Sequence, residues 1–209
     1  MIRIVIADDH TIVRHGLKQI VDAELNMTTV GEAKNGNEVL ELVRKTPTDI
    51  VVLDISMPGR NGLETLKDLK REYPSIAVIV LSMHPKDQYA VRVIKAGASG
   101  YLTKEDAPEE LVNAIKKAFR GEKYITPEVA ELLADYIEHG SSDTPHKLLS
   151  DREYQVFCEI GKGKSITQIS DELFLSVKTI STYRTRIMEK TGMATNAEIT
   201  RYCIDYNFI

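Results

Sequence analysis

A short apolar run, Ile50-Val51-Val52-Leu53, ends abruptly at Asp54. Because residues 47–49 and 57–59 on either side are typical of turns, the run predicts a strand that is buried on both faces. Asp54 then falls at the carboxyl end of that strand, and in an open parallel sheet this is the edge where ligands bind. An Asp at a strand end can also simply cap a turn, so the rest of the chain must decide between the two interpretations.

The first 124 residues alternate five times between apolar strand patterns and helical spacing. Each predicted strand is followed by apolar residues on one helix face, including Ile12 and Phe119, and Asn37 is expected to cap the second helix. This alternation predicts an α/β domain with a five-stranded parallel, doubly wound sheet that carries helices on both faces. The strands are expected at residues 2–7, 28–33, 50–54, 77–82 and 100–104.

The rest of the chain is predicted to be helical and to form a second domain. Thr126-Pro127 is typical of a helix start, and that helix is expected to run to about Glu138. The small polar residues that follow, 139–146, are typical of a flexible connection. Four short helices are expected after this connection, and Ser150 and Glu153 have capping-box spacing at the start of the first one. The predicted domains are therefore 1–124, a helical linker and connection at 125–146, and an all-α domain at 147–209.

Polar side chains stand where four of the predicted strands end. Asp8 and Asp9 follow the first strand, and Asp54 ends the third. Ser82 ends the fourth strand and Lys104 the fifth. Because the carboxyl ends of central strands meet at one edge of such a sheet, these side chains should converge. Three carboxylates at short range repel one another unless a proton or a cation joins them, and Mg²⁺ is a divalent ion that prefers oxygen ligands.

This set of residues predicts phosphoryl transfer to Asp54. The carboxylate of Asp54 would be the nucleophile, and Mg²⁺ held by Asp8 or Asp9 together with Asp54 would bridge carboxylate and phosphate oxygens. Lys104 would offer a compact positive charge, and Ser82 a hydroxyl, to the phosphoryl oxygens. If each acid merely capped a helix, their common edge would have no explanation.

Two nucleotide sites are excluded at the same edge. The first turn, residues 7–10, lacks the glycines of a dinucleotide site, and residues 59–62 lack the glycine-lysine-hydroxyl ending of a P-loop. An aspartyl-phosphate phosphatase is the rival from the enzyme class. By family resemblance such enzymes need a second Asp two residues after the nucleophile, where this chain has Ser56.

Residues 1–124 resemble a response-regulator receiver domain. That family carries an acidic pair, a phospho-accepting Asp, a hydroxyl, an aromatic and a Lys at successive strand ends. The matching residues here are Asp8-Asp9, Asp54, Ser82, Tyr101 and Lys104. The resemblance implies a flavodoxin-like strand order of 2-1-3-4-5 and phosphorylation of Asp54 by a sensor histidine kinase. It also implies that the Ser56 backbone carbonyl binds Mg²⁺ and that Ser82 and Tyr101 form a conformational switch.

The chain departs from the receiver pattern after Lys104. The family often has a cis-bonded Pro at the next position, whereas this chain has Glu105. A cis bond before a residue other than Pro costs about 3 kcal/mol more than trans. The sequence leaves the geometry of the Lys104–Glu105 bond open.

Two of the predicted C-terminal helices are joined by Phe174-Leu175-Ser176, the spacing of a helix-turn-helix. The second helix of that motif enters the major groove of DNA, where its early residues meet base edges. The predicted base contacts are Val177, Lys178, Thr179, Ser181 and Thr182. The residues expected nearer the phosphates are Tyr183, Arg184, Arg186 and Lys190. A merely solvated charged face is the alternative.

Residues 147–209 closely resemble a LuxR-type DNA-binding domain. The resemblance is carried by residues 149–153, 163–165, 176–180, Tyr183 and Lys190, with Ile169 and Leu173 between them. Together the two resemblances cover nearly the whole chain and imply a two-component regulator of the NarL/FixJ class. In that class the final helix commonly makes the dimer contact, so Thr195 to Tyr206 is the candidate here. RNA polymerase is a candidate further partner.

The charge balance and the apolar runs limit partners and compartment. Residues 147–209 hold nine Lys and Arg against eight Asp and Glu, so DNA binding should depend only weakly on salt. No apolar run is long enough to cross a membrane, and the amino terminus becomes acidic before a signal peptide could form. The protein is expected in the cytoplasm. Cys158 and Cys203 are expected to be buried thiols rather than ligands or a disulfide.

The sequence thus predicts a DNA-binding transcriptional regulator whose only chemistry is its own phosphorylation and dephosphorylation. Phosphorylation of Asp54 would shift a two-state equilibrium. The expected result is release of the second domain or dimerisation, and then binding to two DNA half-sites about one helical turn apart. A constitutive DNA binder whose first domain is only a dimerisation scaffold is the remaining alternative.

Overall fold

Five short strands rich in β-branched residues pair in parallel in the order β2-β1-β3-β4-β5. β3 is buried along its whole length, as its unbroken apolar run predicts. The predicted parallel sheet and its strand order are both confirmed. The strands are β1 (Ile2–Ala7), β2 (Met27–Ala33), β3 (Ile50–Asp54), β4 (Ala77–Ser82) and β5 (Gly100–Thr103).

Helices follow each of these strands and cover the sheet. Alternate strand residues such as Ile4, Val52 and Leu81 form one apolar cluster with Leu17 and Leu111 from the first and fifth helices. The second and third helices pack against each other, as the first and fifth do. The helices are α1 (Thr11–Asp22), α2 (Gly36–Lys45), α3 (Gly62–Glu72), α4 (Lys86–Lys95) and α5 (Ala107–Phe119).

Three local predictions in this region are wrong. Asn35, rather than Asn37, caps α2, because its extended backbone lets its side chain accept a hydrogen bond from the Glu38 N–H at 3.0 Å. Ile12 and Phe119 lie at the ends of their helices and are 88% and 53% exposed. Helical spacing identifies a face, but it does not show where along the helix the contact with the sheet stops.

The computed structural model describes residues 1–83, 86–139, 144–206 and 208. These divide into two compact units, Met1–Ala134 and Asp135–Ile209. The division falls within α6 (Pro127–His139), and residues 140–143 of the expected flexible connection lie outside the described residues. Across the described ranges, the structure contains no helix that is both long and apolar enough to cross a membrane.

The second unit is helical, as predicted. A short 3-10 helix, Pro145–Leu148, precedes four α-helices. Ser150 and Glu153 form the predicted capping box, and Ser165 and Gln168 form a second one. The helices are α7 (Asp151–Gly161), α8 (Ile166–Leu173), α9 (Val177–Thr191) and α10 (Asn196–Asp205).

Both cysteines lie in the core of the second unit. Cys158 on α7 and Cys203 on α10 are fully buried and free. Burial raises the pKa of each thiol to about 12. The prediction that they are buried thiols is therefore confirmed, and they are protonated and unreactive at neutral pH.

Candidate functional site

The carboxyl edge of the sheet holds two fully buried carboxylates and one amine. Asp8 follows β1, Asp54 ends β3, and both side chains are 0% exposed. Lys104 follows β5, and its Nζ lies 2.7 Å from Asp8 Oδ2 and 2.8 Å from Asp54 Oδ2. Three residues that are far apart in the sequence thus meet at one point. The ammonium group compensates part of the negative charge there.

Burial and neighbouring charges shift the ionisation of this cluster. The pKa of Asp54 is raised chiefly because burial penalises its charge; Lys104 opposes that shift and Asp8 adds to it. Burial alone would lower the pKa of Lys104, but Asp54 and Asp8 outweigh that effect, so the pKa is raised. Lys104 therefore remains charged at neutral pH beside a carboxylate whose ionised form is strained by desolvation.

Backbone groups and one buried arginine hold the acidic loop in place. The His10 N–H donates to Asp8 Oδ1 at 2.8 Å. Arg14, which is 5% exposed, donates from Nη1 to the Asp8 carbonyl at 2.8 Å and from Nε to Glu32 at 3.1 Å. Sequence reasoning missed Arg14 because an arginine on a helix face normally points to solvent.

The loop after β3 folds back against Asp54. The Ser56 N–H donates to Asp54 Oδ1 at 3.1 Å, and the Gly62 N–H donates to the Ile55 carbonyl at 3.0 Å. A Cβ atom on Gly62 would lie 2.1 Å from the Asp54 carbonyl oxygen. Only glycine allows α3 to begin this close to the site. Sequence reasoning missed this requirement, because Gly62 looks like an ordinary helix start.

Ser82 lies at the strand end next to this cluster, and Tyr101 lies within the neighbouring strand. Ser82, at the end of β4, is fully buried, and its carbonyl accepts a hydrogen bond from the Lys104 N–H at 2.8 Å. It follows Leu81, which pairs with Asp54 across the sheet. Tyr101 on β5 is 1% exposed and pairs with Val80. No cis peptide bond occurs in the described parts of the chain, so the bond after Lys104 is trans.

The donor atoms at this edge suit a divalent cation. Asp8, Asp9, His10 and Asp54 each offer one donor atom, and these atoms lie within 4.8 Å of one another. Asp8 Oδ2 and Asp9 Oδ1 accept no well-aligned hydrogen bond from the described residues, although Asp8 Oδ2 lies 2.7 Å from Lys104 Nζ and Asp9 Oδ1 lies 2.8 Å from His10 Nδ1. Carboxylate oxygens are ligands that Mg²⁺ prefers. When bound, Mg²⁺ would neutralise the acids and polarise phosphate oxygens.

In the second unit, α8 and α9 form a helix-turn-helix. Phe174 at the turn has a positive φ of 53°, and Ser176 caps α9 by accepting a hydrogen bond from the Thr179 N–H at 3.0 Å. Ile180 and Ile187 bury the inner face of α9. The outer face is thereby fixed by helical periodicity.

Five of the predicted DNA contacts are exposed, namely Val177, Lys178, Thr182, Arg186 and Lys190, and of these Lys178 and Thr182 lie opposite Ile180. Thr185, which was not predicted, is also exposed one turn after Ser181 and donates its hydroxyl to the Ser181 carbonyl at 3.1 Å. Counting helical positions from Ser181 would have found it. Thr179, Ser181 and Tyr183 are half-buried.

Two predicted phosphate contacts have partners within the second unit. Lys190 Nζ donates to Glu153 Oε2 of α7 at 2.6 Å, and the Glu153 side chain is only 4% exposed. Arg184 Nε donates to Asn196 Oδ1 at the start of α10 at 2.6 Å. These cations therefore tie α9 to its neighbours. Among the predicted contacts, Lys178 and Arg186 are the exposed cations for which the described residues show no ion pair.

Comparison with known proteins covers both units. The profile of the family described as response regulator receiver domain matches residues 4–116. The profile described as bacterial regulatory proteins, luxR family, matches residues 147–203. Response regulator GacA of Pseudomonas aeruginosa is 36% identical over 210 residues, which cover 100% of this chain and 98% of GacA. The chain belongs to the NarL/FixJ family of response regulators.

Further similarities place both units in this family. Response regulator UvrY of Escherichia coli K12 is 36% identical over 205 residues, which cover 98% of this response regulator and 94% of UvrY. RcsB of Salmonella enterica serovar Typhimurium, solved bound to a promoter with the phosphomimetic BeF₃⁻, is 29% identical with a TM-score of 0.67, covering 96% of this chain and 97% of that one. A structure of two RcsB dimers bound to two parallel DNAs is 28% identical, with a TM-score of 0.65. The match covers 96% of this chain and 97% of that one. This response regulator is therefore a DNA-binding transcriptional regulator of the two-component class.

Proposed function

We propose that Asp54 of this response regulator accepts a phosphoryl group from a sensor histidine kinase. The observation that carries the proposal is the contact of Lys104 with both Asp8 and Asp54 inside a buried pocket. An Asp54 oxygen attacks phosphorus, and the bond from phosphorus to the donor's imidazole nitrogen breaks. Lys104 offsets the charge on the phosphoryl oxygens. The same site hydrolyses its own product, and no other substrate is turned over.

Mg²⁺ belongs to this proposal as the resident cofactor. Asp8, Asp9 and Asp54 would hold it with their carboxylates, and Ser56 with its backbone carbonyl. This ligand set is supported by the cluster of carboxylate oxygens, in which one oxygen of Asp8 and one of Asp9 accept no well-aligned hydrogen bond from the described residues.

Phosphorylation would be read out through Ser82 and Tyr101. Three new acceptor oxygens on Asp54 attract the Ser82 hydroxyl, and Tyr101 on the neighbouring strand moves with it. The result is release of the second unit, dimerisation or both. The support is that Ser82 and Lys104 are joined by a backbone hydrogen bond at the end of β4 and β5.

The DNA-binding part of the proposal assigns α9 to the major groove. Lys178, Thr182, Thr185 and Arg186 form its exposed face and would contact bases and phosphates. Thr195 to Tyr206 would make the contact of a homodimer on two half-sites, and RNA polymerase would be a further partner on the promoter. The RcsB structures with promoter DNA and with dimers support this arrangement. We place the protein in the cytoplasm.

Incorporation of phosphate from acetyl phosphate and Mg²⁺ tests the proposal. Asp54→Asn should incorporate none, because the amide is not a nucleophile, whereas Asp49→Asn, a control at the opposite end of the same strand, should react like the wild type. DNA titration should show tighter binding by the phosphorylated wild type and no change for Asp54→Asn. Wild-type incorporation by Asp54→Asn would refute the assignment of the nucleophile. Equal DNA affinity of both wild-type forms would favour a constitutive binder.

A further inference from the structure

His10 brings a nitrogen donor to an edge of the sheet that otherwise offers oxygen. Its Nδ1 lies 2.8 Å from Asp9 Oδ1 and 3.3 Å from Asp8 Oδ1. The imidazole is 62% exposed and shares the 4.8 Å cluster of donor atoms with Asp8, Asp9 and Asp54. A metal ion at this edge is therefore within reach of the ring as well as of the carboxylates.

The geometry of the acidic loop keeps His10 in this position. The His10 N–H donates to Asp8 Oδ1, and Arg14 binds the Asp8 carbonyl. The Asp8 side chain is fully buried, and its Oδ2 lies 2.7 Å from Lys104 Nζ. The backbone that carries His10 is thus held in place by hydrogen bonds, while the imidazole ring is open to solvent on one side.

We propose that His10 is a ligand of the metal site and gives it a mixed nitrogen and oxygen donor set. The proposal deepens the proposed function and rests on its metal site. Imidazole favours first-row transition ions, whereas Mg²⁺ gains little from nitrogen. His10 therefore adds more to the affinity of the pocket for Mn²⁺ or Co²⁺ than to its affinity for Mg²⁺.

A spectroscopic test on the full chain reads this ligand directly. At about pH 8, where a free imidazole is neutral, electron spin echo spectra of bound Mn²⁺ should show ¹⁴N coupling in the wild type. His10→Asn, which replaces the nitrogen by an amide oxygen, should lose the coupling. His15→Asn is the matched control, because His15 is exposed on α1, the helix that follows His10, and lies outside the donor cluster.

Metal titrations give the second readout. For His10→Asn we expect at least about a tenfold loss of Co²⁺ affinity and a change in Mg²⁺ affinity below about threefold. A wild-type protein that binds Mn²⁺ without ¹⁴N coupling, or a variant that keeps the Co²⁺ to Mg²⁺ ratio, overturns the inference and leaves the proposed function standing. If the wild type binds none of these ions, the metal site of the proposed function fails with it. Failure of Asp54 to take up phosphate is a separate result.

Discussion

The residue proposed as the nucleophile, Asp54, lies in an unfavourable environment. Its carboxylate is fully buried beside Asp8, and Lys104 compensates only part of the charge. A site of this kind is retained for its chemistry at the expense of stability. Replacing Asp54 should therefore change the free energy of unfolding even when no phosphate donor is present.

We expect Asp54→Asn to raise the free energy of unfolding by about 1 kcal/mol at neutral pH, because it removes a buried charge. The folded-state pKa of Asp54 lies above 3.8. Its stabilising effect is therefore complete only below that pH and is lost as the pH rises through the folded pKa. The advantage of the variant should shrink as the pH falls toward 3.8. Urea denaturation of both proteins at neutral and acidic pH measures this, and a less stable variant at neutral pH would contradict it.

Gly62 is the residue whose backbone most directly limits the site. We expect Gly62→Ala to lower the free energy of unfolding by about 2 kcal/mol or more and to slow phosphate uptake, because the new Cβ displaces the Asp54 carbonyl. Gly16→Ala in α1 is the control. A Cβ there meets nothing within 4 Å, so this change should stabilise the helix by about 0.5–1 kcal/mol. Thermal unfolding and acetyl phosphate labelling check both variants, and wild-type behaviour of Gly62→Ala would refute the close approach.

At the scale of elements, α9 packs into the fold on one side and carries on the other the residues that are proposed to contact DNA. Lys190 and Arg184 bind Glu153 and Asn196 of neighbouring helices, whereas Lys178 is exposed near the helix start. Similar charges on one helix therefore differ in what their loss should change. Charge and spacing in the sequence do not separate these two groups.

We expect Lys190→Ala to cost about 1–2 kcal/mol of stability at neutral pH, because the buried Glu153 carboxylate would keep only its hydrogen bond from the Ser150 N–H. Burial raises the pKa of Glu153, but Lys190 and Ser150 outweigh this and lower it below 4.5. The contribution of the pair is thus complete above pH 4.5 and is lost as the pH falls through the folded pKa. Circular dichroism during urea denaturation measures the loss, and an equal deficit at acidic pH would contradict the prediction.

Lys178→Ala is the matched control for the Lys190→Ala variant. It should leave the free energy of unfolding unchanged and weaken DNA binding about tenfold, since only an exposed contact is removed. The folded form of Lys190→Ala should lose less affinity than this.

At the scale of the whole molecule, acidic chemistry and DNA recognition are assigned to separate units. The net charge of the chain is −4, so long-range attraction to DNA is weak. Recognition must then depend on a few local cations and on uncharged groups of α9. This makes salt dependence a direct measure of how many phosphates are neutralised.

We expect the logarithm of DNA affinity to fall with the logarithm of salt concentration with a slope of roughly −2 per protomer, one for each of Lys178 and Arg186. Fluorescence anisotropy with the phosphorylated protein over a range of salt concentrations measures the slope. Arg186→Ala should reduce its magnitude by about one. A slope of about −4 would mean that Arg184 and Lys190 leave their partners to bind phosphate.

The sequence alone determined the order of strands and helices, the position of each acid at a strand end and the capping box at Ser150. These features depend on residues within a few positions of one another, so periodicity and cap chemistry predict them. Only the tertiary structure decided which oxygens of Asp8 and Asp54 Lys104 contacts, that Gly62 abuts Asp54 and that Lys190 binds Glu153. Such contacts join residues far apart in the chain, and packing chooses among partners that the sequence leaves equivalent.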